Sequence, residues 1–143
     1  MGVRRKIFFM AKSELFTDHG RLAGAFLKIC GVFPVKRGTA DTASVDRASE
    51  LLEKGRIVGI FPQGGIFRSD AFVPKAGAAL LATKNHVPIV PVSVFSEGRV
   101  RPFAKITVRF GEPVFSEGSS LRDARRLNVK MRTRISEQLE EGH

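Results

Sequence analysis

The sequence predicts an α/β fold: a mostly parallel or mixed sheet flanked by helices. Three observations carry this. Short apolar runs alternate with segments of helical period along the chain. The run Ile57-Val58-Gly59-Ile60-Phe61 is continuously apolar, as a strand covered on both faces is. The length, 143 residues, suits one domain with a real core and is too short for two ordinary ones. A single domain over residues 1–143 is therefore expected.

Residues 7–10 follow a basic start and read as a short buried strand. Residues 11–16 fit a turn or short helix. Across residues 20–31, Leu22, Ala23, Phe26, Leu27 and Cys30 fall on one helix face. Phe33-Pro34-Val35 is a short extended piece that ends at Lys36-Arg37-Gly38. Thr39 or Asp41 can cap a helix that runs to about Lys54. Its apolar face is expected at Val45, Ala48 and Leu52, with Leu51 beside them. Gly55 suits the left-handed exit. Residues 57–61 then form the expected central strand. Residues 75–85 read as an Ala-rich helix with Pro74 in its first turn. Residues 87–95 form a second buried run, in which Pro88 and Pro91 cannot donate to a ladder and leave an edge or end unpaired. Residues 99–105 fit an exposed loop or an extra hairpin. Residues 106–111 alternate as a strand of lower burial does. The last helix covers 121–139, with Leu127, Met131, Ile135 and Leu139 as its apolar stripe. No internal repeat or low-complexity segment interrupts this order.

Lys and Arg number 24 against 14 acidic residues, a net charge of +10 spread along the chain. That balance suits an anionic partner: nucleic acid, a phosphorylated small molecule or an acidic membrane surface. The one cysteine, Cys30, cannot make an internal disulfide, and a cytosolic thiol is expected. No apolar run approaches 18 residues, so no transmembrane helix is expected. The aromatics are 12 Phe with neither Trp nor Tyr, and they do not follow the aromatic and basic pattern of an RNA-binding sheet. There is no HExxH, no cysteine pair and no clustered set of metal ligands. His19, His86 and His143 have no partner in sequence that would make a catalytic base, and Ser69-Asp70 reads as a cap or turn.

Two places suggest an anion. Phe61-Pro62-Gln63-Gly64-Gly65 follows an apolar strand, and ligands of open α/β sheets bind beyond the carboxyl ends of strands. Gly64 and Gly65 let backbone N–H groups face a ligand, and Arg68 can grip a phosphate with its fork of donors. A tight turn with a solvated arginine fits the same residues. The spacing is not that of a P-loop. Lys36-Arg37-Gly38 repeats the theme, as a second anion contact or as a basic edge that blocks sheet pairing. Lys75 fits a ligand contact or plain exposure.

The motifs together resemble the glycerophospholipid acyltransferases of the lysophosphatidic-acid acyltransferase type. Residues 9–16, Phe-Met-Ala-Lys-Ser-Glu-Leu-Phe, resemble the segment between that family's first and second motifs. Residues 31–38 resemble the second motif, and Phe61-Pro62-Gln63-Gly64-Gly65-Ile66-Phe67-Arg68-Ser69 resembles the third, Phe-Pro-Glu-Gly-Thr-Arg-Ser. Val87-Pro88-Ile89-Val90-Pro91-Val92 resembles the fourth. Order and spacing make the set specific where each motif alone is weak.

The resemblance implies transfer of an acyl group from acyl-CoA or acyl-carrier protein, as co-substrate and with no resident cofactor or metal, to a hydroxyl of lysophosphatidic acid or a similar glycerol phosphate. It implies that Arg37 holds the acceptor phosphate, with Lys36 and Arg68 beside it. Phe61, Pro62, Gln63, Gly64, Gly65, Pro88 and Pro91 would shape the pocket. The family's first motif, a histidine followed five residues later by aspartate, is absent: His19 is followed there by Gly24 and His86 by Pro91. The expectation is a partial acyltransferase-like domain, truncated at its amino end, with no catalytic residue of its own and no turnover alone. A protein at the cytoplasmic face of an acidic membrane, or in the cytoplasm, is expected. The alternatives are a non-catalytic phosphate- or lysophospholipid-binding relic of the fold and a basic nucleic-acid-binding domain; specific nucleic-acid recognition is not expected.

Overall fold

The computed structural model describes residues 4–12, 31–35, 42–62, 75–96 and 106–141. They fall in two compact units, Met1–Gly65 and Ile66–His143.

In the first unit, strand β1 (Ile7–Lys12) lies between β2 (Val32–Val35) and β3 (Ile57–Gly59). Both pairings are parallel, with Lys12 opposite Val35 and Phe9 opposite Gly59. The basic start thus leads into the central strand of this sheet. The run expected to be central, 57–61, supplies only the three residues of β3 at its edge, and they are half-buried. The apolar pattern does not rank these strands, because Ile-Phe-Phe-Met-Ala in β1 is as apolar as Ile-Val-Gly-Ile-Phe. Beyond Gly59 the chain leaves the ladder, and Phe61 is 66% exposed.

Helix α1 (Thr42–Glu53) packs on β2 and β3. Its buried residues are Ser44, Ala48, Ser49 and Leu51, whereas Val45 is exposed and Leu52 half-buried. The contact face is therefore turned from the expected one. Positions 44, 48 and 51 share one side of a helix, and serine and alanine there let the helix lie close to its neighbours. Gly55 has φ +69°. Arg56 N–H donates to Leu51 at 2.8 Å and Gly55 N–H to Leu52 at 2.9 Å, the paired bonds of a glycine-terminated helix. Thr39, Asp41 and the helix expected over 20–31 lie outside the described residues.

In the second unit, helix α2 (Gly77–Asn85) packs against α3 (Leu121–Glu140), and strands β4 (Val92–Ser96) and β5 (Ile106–Phe110) pair antiparallel. With the parallel sheet of the first unit, this makes the expected mixed α/β class. Ala79, Ala82, Val114 and Leu127 form the core, with Val87 and Ile89 packed against it. Ile89 and Val114 exchange backbone hydrogen bonds of 2.9 and 2.8 Å. The run 87–95 is not buried throughout. Pro91 is fully buried and Ser93 buried, but Pro88, Val90, Val92 and Val94 are exposed. An antiparallel pair covered on one face alternates in this way. Val92 lies opposite Phe110 and Val94 opposite Val108, so the outward face is apolar on both strands.

Ser120 caps α3: its hydroxyl accepts from the Asp123 N–H, and the Asp123 carboxylate accepts from the Ser120 N–H. The buried stripe is Ala124, Leu127, Met131, Ile135 and Gln138. Leu139, expected to end it, is only half-buried. Ser93 Oγ donates to Gln138 Oε1 at 2.8 Å, so the buried amide oxygen is satisfied.

Candidate functional site

The three strands of the first unit run the same way, so their carboxyl ends share one edge of the sheet. From that edge the sequence continues into Lys36-Arg37 after β2 and into Phe61-Pro62-Gln63-Gly64-Gly65 after β3. Parallel pairing therefore starts both candidate anion segments from one side of the sheet, where open α/β sheets bind ligands.

Glycines at two positions permit this arrangement. Gly31 enters β2 with φ +85°, and its carbonyl accepts from Phe9 N–H at 3.1 Å. A Cβ there would lie 2.8 Å from Lys6 Cε and 3.3 Å from the Ile7 carbonyl oxygen. Gly59 passes against the Phe9 ring, where a Cβ would come within 2.5 Å of two ring carbons. Phe9 in turn stacks on Phe61, with centroids 5.9 Å apart and planes at 23°. That ring contact steadies the exposed Phe61 just before Pro62. Lys6 Nζ stands 5.2 Å from the centre of the Phe8 ring, within cation–π range.

Of the residues singled out from sequence, Phe61 and Pro62 lie at the carboxyl edge of this sheet, Pro62 half-buried. Pro88 and Pro91 belong to the second unit. Pro88 is exposed, while Pro91 is fully buried and its carbonyl accepts from Gly111 N–H at 2.8 Å. Lys36, Arg37, Gln63, Gly64, Gly65 and Arg68 lie outside the described residues. Sequence reasoning overlooked Gly59 and Phe9; the signal was a glycine inside an otherwise apolar run.

His86 is the histidine among the described residues, and it caps α2 in the left-handed region at φ 53°, ψ 41°. It stands exposed at the helix end. Among the described residues no group of three His, Cys, Asp or Glu side chains could hold a metal. Three carboxylates are held below the usual range, each by its hydrogen-bond donors. Lys54, then Arg47, lowers Glu50; Lys130 lowers Glu117; the Ser120 hydroxyl and N–H lower Asp123. They stabilise charged surface and are not poised to take a proton near neutrality.

Residues 1–95 match the family described as Acyltransferase. A 1-acyl-sn-glycerol-3-phosphate acyltransferase of Bacillus subtilis is 40% identical over 89 residues, 62% of this chain and 43% of that protein. One of Streptococcus pneumoniae is 31% identical over 114 residues, 77% of this chain and 41% of its own length. The chain thus spans about two fifths of these relatives. The crystal structure of the 1-acyl-sn-glycerophosphate (LPA) acyltransferase of Thermotoga maritima superposes with a TM-score of 0.62 at 22% identity, covering 94% of this chain and 57% of that one. The fold and the matched residues agree, and over residues 1–95 the chain belongs to the glycerophospholipid acyltransferase family.

Proposed function

We propose that this chain is the acceptor-binding part of an enzyme that moves an acyl group from acyl-CoA or acyl-carrier protein to the hydroxyl of lysophosphatidic acid or a similar glycerol phosphate. The observation that carries the reading is the parallel edge from which Lys36-Arg37 and Pro62-Gln63 both depart. The names of the relatives supply the acceptor class. In this reading Arg37 holds the acceptor phosphate, Lys36 and Arg68 add charge, and Gly64 and Gly65 turn N–H groups toward it. Gln63 offers hydrogen bonds but no negative charge to balance the arginines. Phe61 and Pro62 border the site on the β3 side. The family match runs through the boundary between the two units, which supports one partial domain rather than two.

Acyl transfer forms an ester C–O bond and breaks a thioester C–S bond, and the acceptor hydroxyl must give up its proton to a base. None of the histidines in these 143 residues is followed five places later by an aspartate. The chain by itself is therefore expected to bind acceptor without turnover. Among the described residues no helix is long and apolar enough to cross a membrane. With a net charge of +10, the proposed contact with an acidic bilayer is peripheral.

Titration calorimetry with glycerol 3-phosphate and lysophosphatidic acid, beside an acyl-CoA turnover assay, tests this. Binding that weakens at least about tenfold in Arg37→Ala is expected, as for loss of a charge-assisted contact. Turnover well above background would overturn the inactivity of the chain alone. Binding unchanged in Arg37→Ala would overturn the site. The second reading, a basic nucleic-acid-binding domain, would gain the lead if the chain bound duplex DNA more tightly than acidic vesicles.

A further inference from the structure

The outward side of α3 carries a pattern that the acceptor site does not use. Leu121, Arg125 and Val129 follow one another at intervals of four, and Arg122, Arg126 and Lys130 form the adjacent row. Both rows lie away from the buried stripe of Ala124, Leu127 and Met131. Leu121 is 59% exposed and Val129 63%. Glu117, Arg122, Arg125, Arg126, Val129 and Lys130 line an open depression on this surface. Glu117 pairs with Lys130 at 2.6 Å and Arg126 at 3.5 Å, which ties down two of the three cations in the second row. Arg122 and Arg125 are in no salt bridge among the described residues, so two exposed cations flank exposed apolar side chains.

We infer that this face of α3 docks on an anionic bilayer surface. It gives a location to the peripheral contact proposed above and is independent of the acceptor-phosphate reading. Charge complementarity selects the partner. Lipid phosphates meet the guanidinium groups of Arg122 and Arg125, while Leu121 and Val129 enter the boundary between headgroups and acyl chains. A nucleic-acid backbone would satisfy the charges but offer no apolar layer to those two side chains. The helix lies along the surface, because its opposite face is committed to the core.

Vesicle co-sedimentation of the full chain tests the inference, with neutral phosphatidylcholine vesicles and with vesicles containing about one third phosphatidylglycerol. The expected result is binding to the anionic vesicles only, weakened by salt. In Arg122→Glu/Arg125→Glu that binding should fall at least about tenfold, since each cation near an anionic surface contributes about fivefold. Leu121→Ser/Val129→Ser should weaken it as well. Arg56→Glu/Lys84→Glu makes the same change of net charge at exposed positions elsewhere and should retain most of the binding. All these residues are exposed, and unchanged circular dichroism and melting will confirm folding. Equal loss in the two charge-reversed variants would overturn the assignment of the face. So would α3 variants that lose affinity for acyl-carrier protein or DNA but not for vesicles. No preference for anionic vesicles in the parent chain would overturn the membrane contact itself, and leave acceptor binding to be judged by the Arg37→Ala result.

Discussion

Gln138 occupies a buried position on α3 where the apolar repeat points to Leu139. Its amide is held by Ser93, and Gly111 leaves the room: a Cβ at 111 would come within 2.5 Å of Gln138 Nε2. None of the three stands out in the sequence, because the contact joins residues 45 apart. Ser93→Ala should cost about 1–3 kcal/mol in urea unfolding, since it leaves a buried amide oxygen without its donor. Gly111→Ala should cost a similar amount, about 1–3 kcal/mol, by overpacking. In the double variant Gly111→Ala/Gln138→Ala the two losses should be clearly less than additive. Gly59 makes the same kind of contact in the first unit. Gly59→Ala must displace Phe9, and with it the stack on Phe61. Lower thermal stability and weaker acceptor binding are expected together, whereas unchanged binding would detach Phe61 from the site.

At the scale of elements, the apolar runs announced β1, β2, β3 and β4, alternation announced β5, and helical spacing announced α1, α2 and α3. Their burial was less legible. A run such as 87–95 looks the same whether a sheet is covered on one face or two, so Val90, Val92 and Val94 read as core and lie exposed. In α1 the chemistry of Val45 and Leu52 pointed to one face, and the close approach of Ser44, Ala48 and Ser49 decided for another. The start of α3 gives two predictions. Ser120→Ala should cost about 0.5–2 kcal/mol through the lost cap, read as a lower midpoint in urea. Asp123 is held low by Ser120, so the folded carboxylate titrates below the unfolded one. Its contribution is fully present above the unfolded value of about 4 and is lost as pH falls through the lower folded value. Melting temperatures of the parent should therefore fall more steeply below about pH 4 than those of Asp123→Asn, and parallel curves would contradict the linkage.

Across the whole molecule, the fold class was legible because the order of runs and helices survives in sequence, and the family was legible because its second, third and fourth motifs keep their order. The site was legible only as an edge. Parallel pairing brings β1, β2 and β3 to a common carboxyl end, but whether Arg37 and Arg68 meet one phosphate depends on contacts that spacing does not encode. Burial adds a further difference between the units. Among the described residues, Ala48 and Leu51 are the buried apolar side chains of the first unit, whereas the second buries Leu81, Val114, Leu127, Met131 and Ile135, with Leu127 at 1% exposure. A parallel sheet with half-buried faces has less to lose on opening than a helix pair with a closed core. Native-state hydrogen exchange should show β1 amides opening at a lower free energy than those of α3 around Leu127 and Met131. Leu127→Ala, which should cost about 2–5 kcal/mol, should lower the protection of α3 by that amount. Equal protection of β1 and α3 in the parent chain would show that the first unit draws its stability from more than its own buried side chains.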